Sequence, residues 1–468
     1  MNVDNRIKEY QKNISKNILL SEIAKHNSDK FQYTDLSDVT IQYVTDYVLA
    51  PALNGFVIWV LKQAMEQGIK RLYFLARDGY FMYHTAIRYI EVYNLPIECR
   101  YLYCSRYSVR IPNYHLDKEK ALDYITLGGL DVTVKTLYKR AGFDRKQRKQ
   151  MYDKQILPME KSVQIPRESL AEIKKRLENN ESFMGLLMQN SYKEFPLYKQ
   201  YLIQEGLLDP VPMALVDSGW VGSMQKELNL SLKQFGKNEP LIGFYWGLYE
   251  IPKGTKRHDY HTYFFSPEGE MKRKVVFNNC LFESIFTAPH GMTLRYEQRE
   301  NVVCPVFLNL NEQRKEKLLF MKEIIASWQQ ELFSIVGNNS FKNISEKLTE
   351  SKTLGIIEKN IELFMHHPTK EEAAVFGELA FTDDILENGE NRIATKLEEK
   401  ELMQNHLAGR VLAKFFGKKQ YIRQSAWYEG SAVMYGKHPN YHIFHYSCYK
   451  YLMNYRKRKI WRQKYGAN

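Results

Sequence analysis

The stretch Ala214-Leu-Val-Asp217-Ser218-Gly219-Trp220-Val221-Gly222-Ser223-Met-Gln225 passes from an apolar run through an acidic residue and a small-residue turn into a helix start. That order brings a carboxylate, several backbone N–H groups and a hydroxyl to one strand-to-helix corner. Such a corner suits an anion, because the unpaired donors and the dipole of a helix N-terminus both favour a phosphate. Asp217 can meet a ribose hydroxyl or a metal beside it. The plainer reading is an ordinary turn with two glycines.

A second corner follows the apolar run Arg71-Leu-Tyr-Phe-Leu75-Ala76. Here Arg77-Asp78-Gly79-Tyr80 leads into Phe81-Met-Tyr-His84-Thr-Ala-Ile-Arg88, whose apolar spacing predicts a helix. Arg77 presents a planar fork to phosphate oxygens, and Asp78 offers a ligand for Mg²⁺ or a base. Gly79 permits a tight turn or a close backbone approach. The plainer reading of Asp78 is a helix N-cap. A third run, Cys99-Arg-Tyr-Leu-Tyr-Cys104, ends in Ser105-Arg106-Tyr-Ser108-Val-Arg110. Three such strand ends converge at the carboxyl edge of a mostly parallel sheet, where ligands of open α/β folds bind. Glu283, in Phe282-Glu-Ser, lies in a mainly apolar run where burial raises a carboxyl pKa. It competes with Asp78 for the role of base, and its plainer reading is a structural partner of an arginine. His290 reads as structural.

The elements that must position these residues give an α/β fold with a mostly parallel sheet. A helical segment over 1–43 precedes the first half of the core at 44–115. A helical insertion at 116–207 separates it from the second half at 208–300, and a helical region fills 301–468. Strand character returns at Val211–Val216, Leu241–Tyr249 and His261–Phe265, and helical periodicity at Ile325–Ile335. The apolar stretch Tyr47–Leu61 is interrupted by Pro51, Asn54 and Gly55 and reads as too short and broken for a membrane span. It is expected to be a buried helix feeding the strand at Arg71. Residues 1–30 form a polar helix with Ile14, Ile18, Leu19, Ile23 and Ala24 towards its apolar side. Weak linker candidates lie near 338–340 and 387–391.

Four of these segments carry a resemblance. Phe74-Leu-Ala-Arg-Asp-Gly-Tyr80, Leu102-Tyr-Cys-Ser-Arg106, Val216-Asp-Ser-Gly-Trp-Val-Gly-Ser-Met-Gln225 and Phe282-Glu-Ser-Ile-Phe-Thr-Ala-Pro-His-Gly291 resemble the glycan phosphoribosyltransferase domain of bacterial polysaccharide ribofuranosyltransferases. The likeness spans about Val44 to Tyr296, with a looser echo at Arg423–Ser431. It implies a fold distantly similar to ordinary phosphoribosyltransferases. It also implies transfer of a 5-phosphoribosyl group from phosphoribosyl pyrophosphate (PRPP), with Mg²⁺, to the hydroxyl of a glycan carried on a lipid. On that footing Arg77, Arg106 and Arg110 meet the pyrophosphate. Gly79, Ser105, Ser218, Gly219, Trp220, Gly222, Ser223 and Gln225 complete the donor site, with the Gly219–Ser223 turn cradling the 5-phosphate. Asp78 and Asp217 are the candidate metal ligands, and Asp78, Asp217 and Glu283 the candidate catalytic carboxylates. Proteins of this family usually carry a preceding phosphatase domain whose strand bears an Asp-x-Asp pair. Residues 1–45 contain none, so removal of the 5-phosphate is expected to fall to a separate phosphatase, if it occurs.

Composition bounds the alternatives. With 468 residues and 44% hydrophobic content the chain is globular, enough for about two or three domains. Five unevenly spaced cysteines and no signal peptide fit a reducing cytoplasm. His442, His445 and Cys448 recur every third residue, but their aromatic neighbours read as packing, and His366-His367 as a surface pair. The formal charge is +13, and residues 401–468 hold 13 Lys and Arg against Glu401 and Glu429 alone. The cluster Arg456-Lys-Arg-Lys459, with Trp461, Arg462 and Lys464, suits an anionic membrane surface. A nucleic-acid role ranks behind it, since no nucleic-acid module accompanies the cluster. The alternatives are a sugar-nucleotide-dependent transferase and a non-catalytic glycan- or nucleic-acid-binding protein.

Overall fold

A computed structural model of the chain describes residues 3–31, 33–129, 132–309, 312–337, 339–381, 391–415 and 422–465. Its centre is a five-stranded parallel sheet, as the sequence predicts. The strands are β1 (Arg71–Leu75), β2 (Glu98–Leu102), β3 (Met213–Trp220), β4 (Ile242–Leu248) and β5 (Tyr260–Phe265), in the order β2-β1-β3-β4-β5. Parallel strands are covered on both faces, and alternate residues part accordingly. Leu72, Phe74, Ala214, Val216 and Trp246 join one apolar cluster, while Tyr73, Leu75, Met213 and Leu215 join another on the opposite face.

The chain moves outward from β1 to β2, then returns to the other side of β1 to form β3. Crossovers between parallel strands are right-handed, so this reversal sends successive helices to opposite faces. The Gly79–Tyr93 helix packs in the first cluster and the Ser223–Gln234 helix in the second. The two part at the carboxyl ends of β1 and β3 and leave a crevice there.

The apolar stretch that feeds β1 is longer than its interruptions suggest. Helix Leu36–Val44, a π-helical turn Thr45–Leu49 and helix Ala50–Glu66 run on without a break. Leu36–Glu66 is long and apolar enough to cross a membrane by length and composition, yet 94% of its most apolar window is buried inside the protein. Pro51 directly follows the π-helical turn, where the Ala50 N–H donates to the Thr45 carbonyl, and this widened turn accommodates a residue without an N–H. Asn54 is fully buried but satisfied: it donates to the Ala50 carbonyl (2.8 Å) and accepts from the Tyr89 hydroxyl (2.8 Å).

The N-terminal helices Val3–Ile14 and Ile18–Lys30 pack with C-terminal helices into the same cluster, although Ile18 itself is exposed. The segment after β2 is helical and has its own core, built on Leu122, Ile125, Leu137, Phe143, Leu177 and Phe183. An antiparallel hairpin, β6 (Thr293–Arg299) with β7 (Val302–Phe307), straddles the boundary drawn at residue 300. Its alternation was masked by the charged residues of β6. The linker candidates at Asn338 and 387–390 lie outside the described residues.

Gly79 shows how tightly the first corner is built: a Cβ there would sit 2.9 Å from the Phe74 backbone carbon. Gly79→Ala must push the helix off the end of β1, and overpacking of this kind costs about 1–3 kcal/mol. Gly185 lies exposed inside the Glu181–Gln204 helix with nothing near its missing Cβ. Gly185→Ala is expected to stabilise by about 0.5–1 kcal/mol. Thermal melts of the two variants should therefore shift in opposite directions.

Candidate functional site

The register Phe74↔Val216 between β1 and β3 sets the geometry of the crevice. β1 ends one residue later, whereas β3 continues to Trp220 against β4. The predicted strand end at Val216 is thus extended by four residues, and Asp217 is a strand residue level with the end of β1. Its parity with Leu215 turns it towards the second face, and that of Ser218 turns it towards the first.

Asp78 occupies the N-cap position of the Gly79–Tyr93 helix without making a side-chain cap. Its carboxylate instead accepts a close hydrogen bond from the Ser218 hydroxyl, which ties the two corners together. Glu283 projects from the Asn279–Ile285 helix and accepts a close hydrogen bond from the Trp220 indole N–H. Trp220 is held by Phe265, Phe277 and Phe282, with ring centroids 5.5–6.3 Å away. Asn278 caps the helix carrying Glu283 through Leu281 N–H (2.8 Å) and donates to the Ala426 carbonyl (2.9 Å). The Arg423–Ser431 segment therefore supports the site from behind.

These groups feel one another strongly. Burial, then the negative charge of Asp78, raises the pKa of Asp217 well above the usual carboxylate range, with a smaller push from Glu283. Burial and Asp78 likewise raise Glu283, against the pull of Arg106, the Trp220 hydrogen bond and Arg77. Burial works against the charge of Arg106, but Glu283, Tyr124, Asp78 and Asp217 together hold its pKa above the ordinary value. Arg106 is densely surrounded by protein and yet exposed, and Asp78, Asp217 and Glu283 are half-buried. Groups at the floor of an open cleft combine these properties.

The structure thus gathers Asp78, Asp217, Glu283, Arg77, Arg106, Ser218 and Trp220 around one crevice. Gly222, at φ +65°, is the N-cap of the Ser223–Gln234 helix, and among the described residues no side chain caps that terminus. A Cβ on Gly222 would lie 2.6 Å from the Tyr260 ring. Gly219 belongs to β3, so the turn proper is shorter than the expected Gly219–Ser223 cradle, and Ser223 is the first helical residue.

Three candidates are engaged elsewhere. Gln225 is fully buried, donating to Leu241 (2.8 Å) and Asp259 (3.1 Å) carbonyls and accepting from Tyr245 (2.6 Å). Arg110 lies one turn beyond Arg106, 3.9 Å above the Tyr124 ring and 3.7 Å from Glu227. The Ser105 hydroxyl caps its helix through Ser108 N–H (3.0 Å) and donates to the Thr293 carbonyl (2.6 Å).

Tyr124 was missed. It comes from the helical insertion and reaches both arginines, and nothing in its own segment, Ala121-Leu-Asp-Tyr124, marks it. Of the histidines expected elsewhere, His366 is buried against Glu429 (3.5 Å) rather than at the surface. His442 packs between His406 (3.0 Å) and Glu399 (2.8 Å). Comparison of the chain with protein-family models and with curated proteins yields no match.

The charge crowding has a measurable cost. Because the folded protein raises the Asp217 pKa, it binds that proton more tightly than the unfolded chain, whose aspartates titrate near about 4. The associated stability is full below that value and is lost as pH rises through the folded pKa. Asp217→Asn is therefore expected to melt above the wild type at about pH 8, with the gap closing towards about pH 4. A gap that does not change with pH in paired melts would contradict the crowding.

Proposed function

We propose that the chain is a glycan phosphoribosyltransferase that moves 5-phosphoribosyl from PRPP to a glycan hydroxyl. The observation that carries this reading is the convergence of Asp78, Asp217 and Glu283 with Arg77 and Arg106 at the β1/β3 crevice, beside a helix N-terminus that no side chain among the described residues caps. The four motifs that resemble the family are the segments that build this crevice, which adds support.

In this reading the N-terminus of Ser223–Gln234 holds the 5-phosphate, and Arg77 and Arg106 take the pyrophosphate. Mg²⁺ fits the donor set, since a dication offsets both the burial and the Asp78 charge that raise the pKa of Asp217. Among the described residues no three His, Cys, Asp or Glu side chains are arranged to hold a metal alone. In this reading the ion would be held by Asp78 and Asp217 together with substrate phosphates. When bound, it neutralises charge on the leaving group.

Glu283 serves as base: Trp220 orients it, and its raised pKa matches proton uptake near neutrality. The bond from the anomeric carbon to the pyrophosphate oxygen breaks, and its electron pair leaves with pyrophosphate. The acceptor oxygen bonds to that carbon from the opposite side and passes its proton to Glu283. The product is a β-ribofuranoside that retains its 5-phosphate, and removal of that phosphate is left to a separate phosphatase.

The acceptor is proposed to be lipid-linked, with the enzyme working in the cytoplasm at an anionic membrane surface. The helix Pro439–Tyr465 supports this placement. Its early turns pack on the core through Ile443 and Lys450, whereas Tyr451, Leu452, Met453, Tyr455 and Ile460 are exposed among Arg456, Lys459 and Arg462. Lys457 is different, since it faces Glu250 (3.6 Å) and the Tyr249 ring. Reversing Arg456, Lys459 and Arg462 to Glu should release the protein from anionic vesicles without unfolding it. Binding that survives the reversal would contradict membrane docking.

The donor reading is tested by melting with PRPP and Mg²⁺, and by mass spectrometry of glycans incubated with both. A rise in Tm with PRPP but not UDP-sugars, and a phosphopentose adduct, are expected. Glu283→Gln should cut turnover by about 10²–10³-fold while keeping the PRPP-dependent shift. Asp217→Asn should lose both. A rise with UDP-sugars alone would replace this reading by sugar-nucleotide transfer.

A further inference from the structure

Beyond the carboxylate crevice, the edge of the sheet carries a cluster of aromatic rings that pack against the core on one side and stay partly exposed on the other. Tyr80, Tyr83, Tyr101 and Tyr103 line a groove of about 410 Å³ with Arg100 and Glu205, and all four rings are only partly buried. Its volume falls in the range of small-ligand sites, roughly 300–1,000 Å³. β2 is an edge strand, so no further strand covers this side of the sheet.

The rings are set at steep angles. Tyr80 and Tyr101 are 5.9 Å apart at 79°, and Tyr101 and Tyr103 are 5.0 Å apart at 85°. Such edge-to-face packing holds each ring rigidly and leaves neighbouring faces turned in different directions.

Hydrogen bonds fix the cluster further. His290 Nδ1 lies 2.8 Å from the Gly291 carbonyl, which can only accept, so Nδ1 carries the proton. Nε2 then accepts from the Tyr101 hydroxyl at 2.9 Å. Burial and the charge of Lys322 keep His84 neutral, with a pKa pushed down to about 4. Lys322 donates to the Tyr80 hydroxyl at 3.0 Å. The groove is thus rigid, aromatic and polar at its rim. It adjoins the crevice directly: Tyr80 is two residues from Asp78, and the Tyr101 hydroxyl feels the charges of Asp78 and Arg77.

We infer that this groove is the acceptor subsite and that it binds a sugar ring of the glycan by stacking on tyrosine faces, with its hydroxyls turned to the polar rim and to the carboxylate crevice. The inference rests on the glycosyl-transfer reading. A pyranose has apolar C–H faces and polar edges. Aromatic faces answer the former, and Arg100, Glu205 and neutral His84 answer the latter. A sugar seated there directs a hydroxyl past Tyr80 towards Asp78 and Glu283. Aromatic side chains supply such contact area at low entropic cost, since few torsions are frozen.

The test uses saturation-transfer NMR on the full chain with a panel of di- to tetrasaccharides of glucose, galactose, mannose and N-acetylglucosamine. Tyr83→Ala and Tyr103→Ala are each expected to weaken glycan binding by at least tenfold. Tyr103→Phe, which keeps the stacking face, should bind as the wild type does. The melting shift with PRPP and Mg²⁺ should be the same in all of them, which also shows that the variants fold. Wild-type affinity in both alanine variants, or no binding of any glycan by the wild type, overturns the subsite. Glycan binding that depends on these tyrosines in a protein unmoved by PRPP supports the subsite and removes the donor reading instead.

Discussion

Phe74 and Val216 are partners in adjacent parallel strands, and the residues that follow them are not free to diverge. Leu75 ends β1 while Asp217 continues β3 beside it, so the turn after β1 delivers Asp78 to the same place. A slip of one residue in this pairing would turn Asp217 to the other face and Ser218 into its position. The Ser218–Asp78 hydrogen bond would then be lost, together with the Asp78 charge that adds to burial in raising Asp217. Register is well specified here because both faces of both strands are buried, and an error would move Leu215 and Val216 into each other's cores.

The cost of the arrangement is electrostatic. Three carboxylates share a crevice with two guanidinium groups, and burial penalises the charged forms further. Proteins tolerate such crowding where the remaining structure is stable enough to absorb it. Here the apolar interior is large: helices from both ends of the chain pack with the Leu36–Glu66 helix and one face of the sheet in a single cluster. The second face is closed by the Glu181–Gln204 and Ser223–Gln234 helices and the β6–β7 hairpin. The crowding at the crevice is not unique, since burial also raises the pKa of Asp46, which Asn27 partly satisfies in the helical core.

Segments distant in sequence complete the crevice. Glu283 is aimed by Trp220, and its helix is braced by the Ala426 carbonyl through Asn278. The insertion contributes Tyr124 beside Arg106 and Arg110. The hairpin receives the Ser105 hydroxyl on the Thr293 carbonyl, which anchors the turn after β2. The crevice charges and the aromatic groove thus lie on two sides of the same corner, where Arg77 and Asp78 lead into the helix start at Gly79 and Tyr80.

The parallel sheet, each strand start to within two residues and the corners bearing Asp78, Arg106 and Asp217 were legible in the sequence. Short apolar runs ending in Arg, Asp, Ser and Gly before helical periodicity have few other solutions. Local pattern also sufficed to expect burial of the Tyr47–Leu61 stretch. It did not reveal that this helix runs unbroken through Pro51 and Asn54, because Asn54 is satisfied by Tyr89, 35 residues away. Gln225 and Arg110 looked equivalent to their neighbours by spacing, yet tertiary packing turned one into the core and paired the other with Glu227. The aromatic groove lies beyond any local signal, since Tyr80, Tyr101 and His290 meet only when β2 becomes the sheet edge and the chain returns after β5. Periodicity reports which face a residue takes within its own element. Which faces then meet is decided by strand order and register, and these are properties of the whole fold.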